Sequence, residues 1–318
     1  MKAVPIARAL PLVAALLLAL APLVLSPYGS DLVSKIMVFS VFALSLELLV
    51  GMTGLVSLGH AAFFGLGAYV AVFASPESEP GNLAWVLFAS MAAAAFLALV
   101  VGALSLRTKG VYFIMVTLAF AQMAYFVFHD TPYGGGSDGI YLNAKPRLGP
   151  LDSGERLQFH FIALGALVAV YALLALLRRA RFGHALAGIR DNEQRMRAAG
   201  FSTYRYKLAA FVVAGALAGL AGCLLALREG YVNPELLGWK QSGAVLLMVI
   251  LGGIGHLRGA VIGAAAFVLL EELFATPALV GQTLADHWQL PLGLTIIVFV
   301  AWLPKGLIGL PSLRRSRR

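Results

Sequence analysis

The residues of this chain that could carry covalent or acid–base chemistry do not assemble into a catalytic set. The six histidines are scattered, no H-E-x-x-H places two imidazoles on one helix face for a metal, and no serine stands in a G-x-S-x-G elbow. The single cysteine, Cys223, lies in the apolar run 208–227, so neither an intramolecular disulfide nor a cysteine metal cluster can form. No stretch fits G-x-x-x-x-G-K-[ST], so ATP has no phosphate loop here and the chain binds no cofactor of its own. Gly134, Gly136 and Gly139 spell G-x-G-x-x-G, but no strand precedes them and no helix of a βαβ unit follows, which rules out a dinucleotide reading. The chain reads as a protein that is not an enzyme.

The informative polar groups are those embedded in apolar sequence: Glu47, His60, Gln122 and Thr295, with Ser40 on the same helix face as Glu47, seven residues earlier. In lipid such groups face the bundle interior or a watery path. For each, a hydrogen bond between helices and contact with a transported molecule are both open.

The elements that hold them are membrane spans. The composition is 60% hydrophobic and 12% charged with a mean hydropathy of +0.86, more apolar surface than one soluble core can hide. The net charge of +9 would suit nucleic acid only if the basic residues shared a soluble face, and they lie instead between apolar runs. Apolar length, bounded by charge, Pro and Gly, predicts spans at 9–25, 32–50, 55–74, 83–106, 111–128, 159–177, 208–227, 242–251, 260–274 and 290–303. The first run also resembles a secretory leader, with Lys2 and Arg8 ahead of it, and is read as a retained helix because the topology closes only when it is counted.

The expected fold is therefore all-α, a polytopic transmembrane helical bundle of about ten spans (8–10) in one domain, 1–318, with both termini cytoplasmic. That arrangement puts 18 of the 24 Lys and Arg inside, as the positive-inside rule requires. It leaves an outer loop at 129–158, a cytoplasmic loop at 178–207 and a basic cytoplasmic tail at 305–318. Gly215 with Gly219, Ala218 with Gly222, and Gly255, Gly259 and Gly263 recur at four-residue spacing, which lets helix backbones approach closely in lipid.

The cytoplasmic loop carries the clearest surface element. Leu186, Ile189, Met196 and Gly200 recur at helical spacing, so one short helix would show an apolar edge. Asp191 with Arg195 and Glu193 with Arg197 are acid-to-base pairs four apart, each worth about 0.2–0.5 kcal/mol, and Gly200 is a natural stop. Such a helix could lie on anionic lipid or dock a soluble partner, and composition leaves the two open.

Several blocks together resemble the permease subunits of branched-chain amino acid ABC transporters. They are residues 51–69 with Ser57-Leu-Gly-His60, residues 112–123, Gly135-Gly-Ser-Asp-Gly-Ile140, Ala187-Gly-Ile-Arg-Asp-Asn-Glu193, Tyr206-Lys-Leu-Ala-Ala-Phe211 and Leu251-Gly-Gly-Ile-Gly-His-Leu-Arg-Gly259, in the family's order from about residue 30 to residue 310. Ser-Leu-Gly-His makes the chain look most like the second, M-type, of the two permease types, while His256 and Arg258 depart from the family's usual small or hydroxyl residues.

The resemblance implies a multi-pass permease of the bacterial inner membrane. Its partners would be a second permease, two cytoplasmic ATPases that hold ATP and Mg, and a periplasmic binding protein that delivers the amino acid. It implies that Leu186, Ile189, Arg190, Asp191, Asn192, Glu193, Met196 and Gly200 couple to the ATPase. Glu47, Ser57, His60, Thr117 and Gln122 are then candidates for the translocation path, and Gly135, Gly136, Ser137, Asp138 and Gly139 for the binding-protein contact or outer gate. Relatives in the family also carry urea, short-chain amides or aromatic acids. Of other classes, an ion-coupled secondary transporter would need a relay of intramembrane carboxylates, for which Glu47 alone is a candidate, and a scaffold would need no docking loop.

Overall fold

The computed structural model of the chain describes residues 4–76, 79–149, 151–277, 281–282, 286–303 and 306–309. Helix α2 (Pro27–Thr53) is its axis. Ser26 caps it by accepting from the Gly29 N–H, Pro27 opens it, and Gly54 ends it with φ +73°. Its sequence is apolar on every side, and such a helix has to be surrounded: 94% of its most apolar 18-residue window is buried.

Helix α9 (Thr203–Glu229) lies along α2 and also carries α3 (His60–Phe73) and α4 (Leu83–Ser105). Helices α6 (Arg156–Arg179) and α11 (Leu257–Ala275) pack on α2 as well, and α10 (Trp239–Gly252) folds back on α11. Helices α1 (Val4–Val24), α5 (Val111–Asp130) and α12 (Gln289–Trp302) are peripheral. α5 turns a broad apolar face outward that includes Tyr112, Met115, Met123 and Val127. The short α7 (Arg181–Asp191) and α8 (Glu193–Ala198) follow α6.

The glycine spacing is explained by contact between α9 and its neighbours. A Cβ on Gly222 would stand 1.8 Å from the Phe64 carbonyl oxygen of α3, and one on Gly67 would stand 2.2 Å from that of Gly219. Gly215 and Gly219 meet Ala98 and Ala94 of α4 at 2.3 and 2.4 Å by the same construction. Backbones therefore touch where larger side chains would hold them apart.

Polar ties fix the two ends of α2. At its start, Arg228 of α9 bonds Asp31, Lys35 lies 3.5 Å from Glu271 of α11, and Tyr28 bonds Glu272. At its end the Gly51 carbonyl accepts from Arg190 of α7. The 20 residues between Asp31 and Gly51 span about 30 Å of helix, the thickness of the hydrocarbon core. The start of α2 and the ends of α9 and α11 thus share one face of the bundle, and α7 and α8 lie on the other. His160 of α6 draws α1 in, with Nε2 donating to the Leu18 carbonyl at 2.9 Å and Nδ1 3.1 Å from the Ser34 hydroxyl.

Six helical stretches among the described residues are long and apolar enough to cross a bilayer, and α10 with α11 adds a seventh if that pair is one broken span. Two expected boundaries change. The span expected at 55–74 is the 14-residue α3, because residues 54–59 leave the helix after Gly54. The segments expected at 242–251 and 260–274 are joined as a pair bent by 118°. Gly253 and Gly255 make that corner with φ of +111° and +87°, a region that favours glycine. Of the basic tail, only 306–309 are described.

Candidate functional site

The loop at 178–207 forms two helices rather than one. Asn192 leaves the helix (φ −158°, ψ 97°), and its side chain accepts from the Arg195 N–H at 2.9 Å, capping α8. Such a cap is worth about 1 kcal/mol. The Asp191–Arg195 pair expected of one continuous helix is worth less, about 0.2–0.5 kcal/mol. The cap wins, and Asp191 lies beside Arg190 at 3.5 Å instead. α8 closes at Gly200 (φ +86°), with Phe201 N–H on the Met196 carbonyl and Gly200 N–H on that of Arg197.

The apolar edge expected to be offered to a partner faces inward. Leu186 and Ile189 are buried in the chain's own bundle, and Met196 folds back over Gly188 of α7. Arg190 is fixed to the Gly51 carbonyl. Asp191, Gln194 and Arg195 are among the exposed residues of the element, with Arg190, Asn192 and Arg197 to Gly200.

Glu193 is the joint of this corner. Its Oε1 accepts from Lys207 at 2.9 Å, from Thr203 at 3.0 Å and from Arg197 at 2.5 Å. Partial burial raises its pKa, but the hydrogen bond and charge of Lys207, then Arg197 and Thr203, outweigh that and hold it at about 2, against an ordinary 4.5. A carboxylate with a depressed folded pKa stabilises the fold above its unfolded value and loses that contribution as pH falls through the folded one. The apparent Tm of the wild type should therefore fall between about pH 4.5 and pH 2, and Glu193→Gln should start lower at pH 7 and show a shallower fall. Equal pH slopes in thermal melts of the two proteins would show that Glu193 does not anchor the corner.

Glu47 belongs to the same face of the bundle. It is buried on α2, one helical turn before Gly51, facing the backbone N–H groups of Gly255 and His256 in the α10–α11 corner, with its Oε2 buried and without a hydrogen-bond partner among the described residues. Arg178 and Arg190 supply the nearby positive charge. The guanidinium of Arg190 and the carboxylate of Glu47 thus join α7, the end of α2 and the corner of the bent pair.

The other path candidates do not converge with Glu47. His60 opens α3, fully buried, with Nε2 2.8 Å from the Ser45 hydroxyl and its ring stacked on Phe42. Ser57, also buried, accepts from the Gly59 N–H, and Ser242 of α10 accepts from the Ala61 N–H at 2.9 Å. Thr117 bonds back within α5, and a Cβ on Gly59 would stand 2.3 Å from its carbonyl oxygen. Ser57 and Ser242 thus satisfy backbone N–H groups at the α2–α3 break, while His60 ties α3 to Ser45 of α2 and keeps a buried Nδ1 without a partner among the described residues.

Gln122 lines a cavity of about 370 Å³ at the far face, with Tyr125, Asn233, Glu235, Trp239 and Lys240. Beside it, Pro132–Gly134 and Gly136–Asp138 form two successive 3-10 turns, and strand β1 (Ile140–Tyr141) pairs with β4 (Tyr231–Val232). A hairpin of β2 (Arg147–Leu148) and β3 (Leu151–Asp152) completes the 129–158 loop. Gly139 has φ +75°, and a Cβ there would stand 2.0 Å from the Val232 carbonyl, so this glycine serves the strand pairing. Gly135 and Gly136 are partly buried in the turns, while Ser137 and Asp138 are exposed and bonded to each other.

The sequence profile described as the permease component of branched-chain amino acid transport systems matches residues 29–301. The chain belongs to this permease family. It is 30% identical, over 93% of its length and 74% of the relative's, to the high-affinity branched-chain amino acid transport system permease protein LivM of Escherichia coli K12, and equally to LivM of Salmonella typhimurium LT2. To LivH of E. coli K12 it is 27% identical over 46% of each chain. No solved structure matches. The chain is thus a multi-pass membrane subunit of the M type and not an enzyme, and a scaffold or an ion-coupled carrier is set aside.

Three features of this permease escaped the linear pattern. Lys207 and Thr203 as partners of Glu193 had a signal in the Tyr206-Lys207 block directly after the loop. The cavity beside Gln122 had one in the cluster of Asn233, Glu235, Trp239 and Lys240 between two apolar runs. The bond from Arg190 to the Gly51 carbonyl had none, since it joins positions 139 residues apart.

Proposed function

We propose that this permease is the membrane half of an ATP-driven importer of branched-chain or closely related amino acids in the bacterial inner membrane. A second permease, two cytoplasmic ATPases holding ATP and Mg, and a periplasmic binding protein complete it. The observation that carries the reading is the α7–α8 corner, within a matched family segment, held rigidly by Arg190 and Glu193 while Asp191, Gln194 and Arg195 face out. An element so braced transmits a push instead of absorbing it.

The α7 side is cytoplasmic in this reading because it gathers the basic loops. Ten apolar segments then cross or enter the membrane, with α3, α10 and α11 as short ones and both termini inside. The outer cavity receives the cargo: Lys240 and Glu235 suit its carboxylate and ammonium, and Leu236 and Trp239 its side chain. Closure of the ATPase dimer moves α7–α8, and Arg190 carries the motion to α2 and, through Glu47, to the α10–α11 corner, a bistable element of the kind such switches need.

The test is purification of the complex through a tag on this chain, followed by binding-protein-stimulated ATP turnover and leucine uptake in proteoliposomes. The wild type should retain the ATPase, and Asp191→Ala with Arg195→Ala should lower stimulated turnover about tenfold, the loss of roughly 1.4 kcal/mol of coupling. Absence of any ATPase from the wild-type complex overturns the importer reading.

A further inference from the structure

Two cavities outside the regions described above meet along α6. The first, about 660 Å³, lies where the end of α6 faces α7 and the start of α11, and it is lined by Arg178, Arg179, His184, His256 and Arg258, with Tyr171. No carboxylate is among its described lining residues. The nearest, Glu47, is buried and influenced by Arg178. The second cavity, about 270 Å³, is an apolar groove between α1, α6 and α11, walled by Leu18, Leu164, Val168, Val261 and Ile262. Tyr171 and Arg258 line both, so the basic chamber opens into the apolar groove.

The dimensions and chemistry match one kind of molecule. From Leu164 to Arg178 is 14 residues, about 21 Å along α6, against about 15 Å for half the hydrocarbon core. Guanidinium groups recognise phosphate oxygens in a bidentate fork, and basic pockets at helix ends take anionic headgroups. The groove is open to the lipid side, with Val168 and Ile262 45% and 42% exposed. A free phosphate would have no use for such a groove, and a neutral lipid none for three arginines.

We propose that this groove binds one anionic phospholipid, its phosphate among Arg178, Arg179 and Arg258 and an acyl chain between α1, α6 and α11. The site lies beside His184 of α7 and His256 of the α10–α11 corner, so an occupant there would bear on the two elements that coupling has to move.

The complex in neutral detergent would be titrated with dioleoyl phosphatidylglycerol, with dioleoyl phosphatidylcholine or with inorganic phosphate, and retained molecules counted by native mass spectrometry. One phosphatidylglycerol should be retained at least about tenfold better than phosphatidylcholine. Retention should fall about tenfold in Arg179→Gln with Arg258→Gln and, separately, in Ile262→Trp, which fills the groove without touching charge. If the arginine pair fails to fold, the tryptophan variant decides. Equal retention of both lipids, undiminished retention in a folded variant, displacement by millimolar inorganic phosphate, or retention only after the ATPase has been stripped from the complex overturns the proposal; the last two would assign the chamber to a soluble anion or to the ATPase surface. Loss of lipid in a complex that still couples ATP turnover to leucine uptake leaves the importer reading untouched, so the two stand or fall apart.

Discussion

Gly222→Ala is expected to abolish recovery of folded, monodisperse protein from membranes, while Gly165→Ala on α6 leaves it unchanged. The new methyl on α9 would stand 1.8 Å from the carbonyl oxygen and 2.7 Å from the carbonyl carbon of Phe64. Both are backbone atoms of α3, so no rotamer change relieves the clash and the helices must separate. Overpacking a core usually costs about 1–3 kcal/mol when side chains can shift. Here the separation would also break the contacts of Gly67 with Gly219, so the cost lies above that range. At Gly165 nothing lies within 4 Å of a Cβ, and alanine in a helix gains roughly 0.5–1 kcal/mol over glycine. The comparison needs only detergent extraction and size-exclusion profiles of the two variants. A wild-type profile for Gly222→Ala would mean that α3 and α9 do not meet backbone to backbone.

Arg190→Ala is expected to uncouple the importer with its ATPase still attached. The guanidinium donates to the Gly51 carbonyl and stands near the buried Glu47. Its removal costs about 1.5–3 kcal/mol, the range for a hydrogen bond to a charged group. Gln194 and Arg195 are untouched and Asp191 loses only its long, exposed pair with Arg190, which is worth little, so ATPase should co-purify in full while leucine uptake per ATP hydrolysed falls at least about tenfold. Arg190→Lys keeps the charge but not the planar fork, and should fall between the two. If Arg190→Ala loses the ATPase itself, the residue acts in docking and not in transmission.

The sequence by itself determined that this protein lives in a membrane and which family it belongs to, but of ten expected spans the structure shows six long enough to cross, or seven with the bent pair, among the described residues. Apolar length, charge placement and the ordered glycine-rich blocks are local quantities, and a chain in lipid has few ways to satisfy its backbone other than as helices. The corner of Gly253 and Gly255 was visible as glycines, but not as a 118° bend, because a glycine permits a turn without requiring one.

Tertiary structure alone decided which faces are spent and which are free. Leu186 and Ile189 read as a sticky edge, and only the packing of α7 against α2 and its neighbours shows that the edge is consumed inside. Asn192 splits the expected single helix because one side chain can satisfy a backbone N–H that helix continuation would otherwise have used. Glu47, His60 and Gln122 are equally polar residues in equally apolar surroundings. The fold sends one to the face that carries α7 and α8, one to a helix junction and one to a cavity at the opposite face. That sorting depends on contacts between segments far apart in the chain, and such contacts are set by the close approach of backbones in three dimensions, which no local pattern encodes.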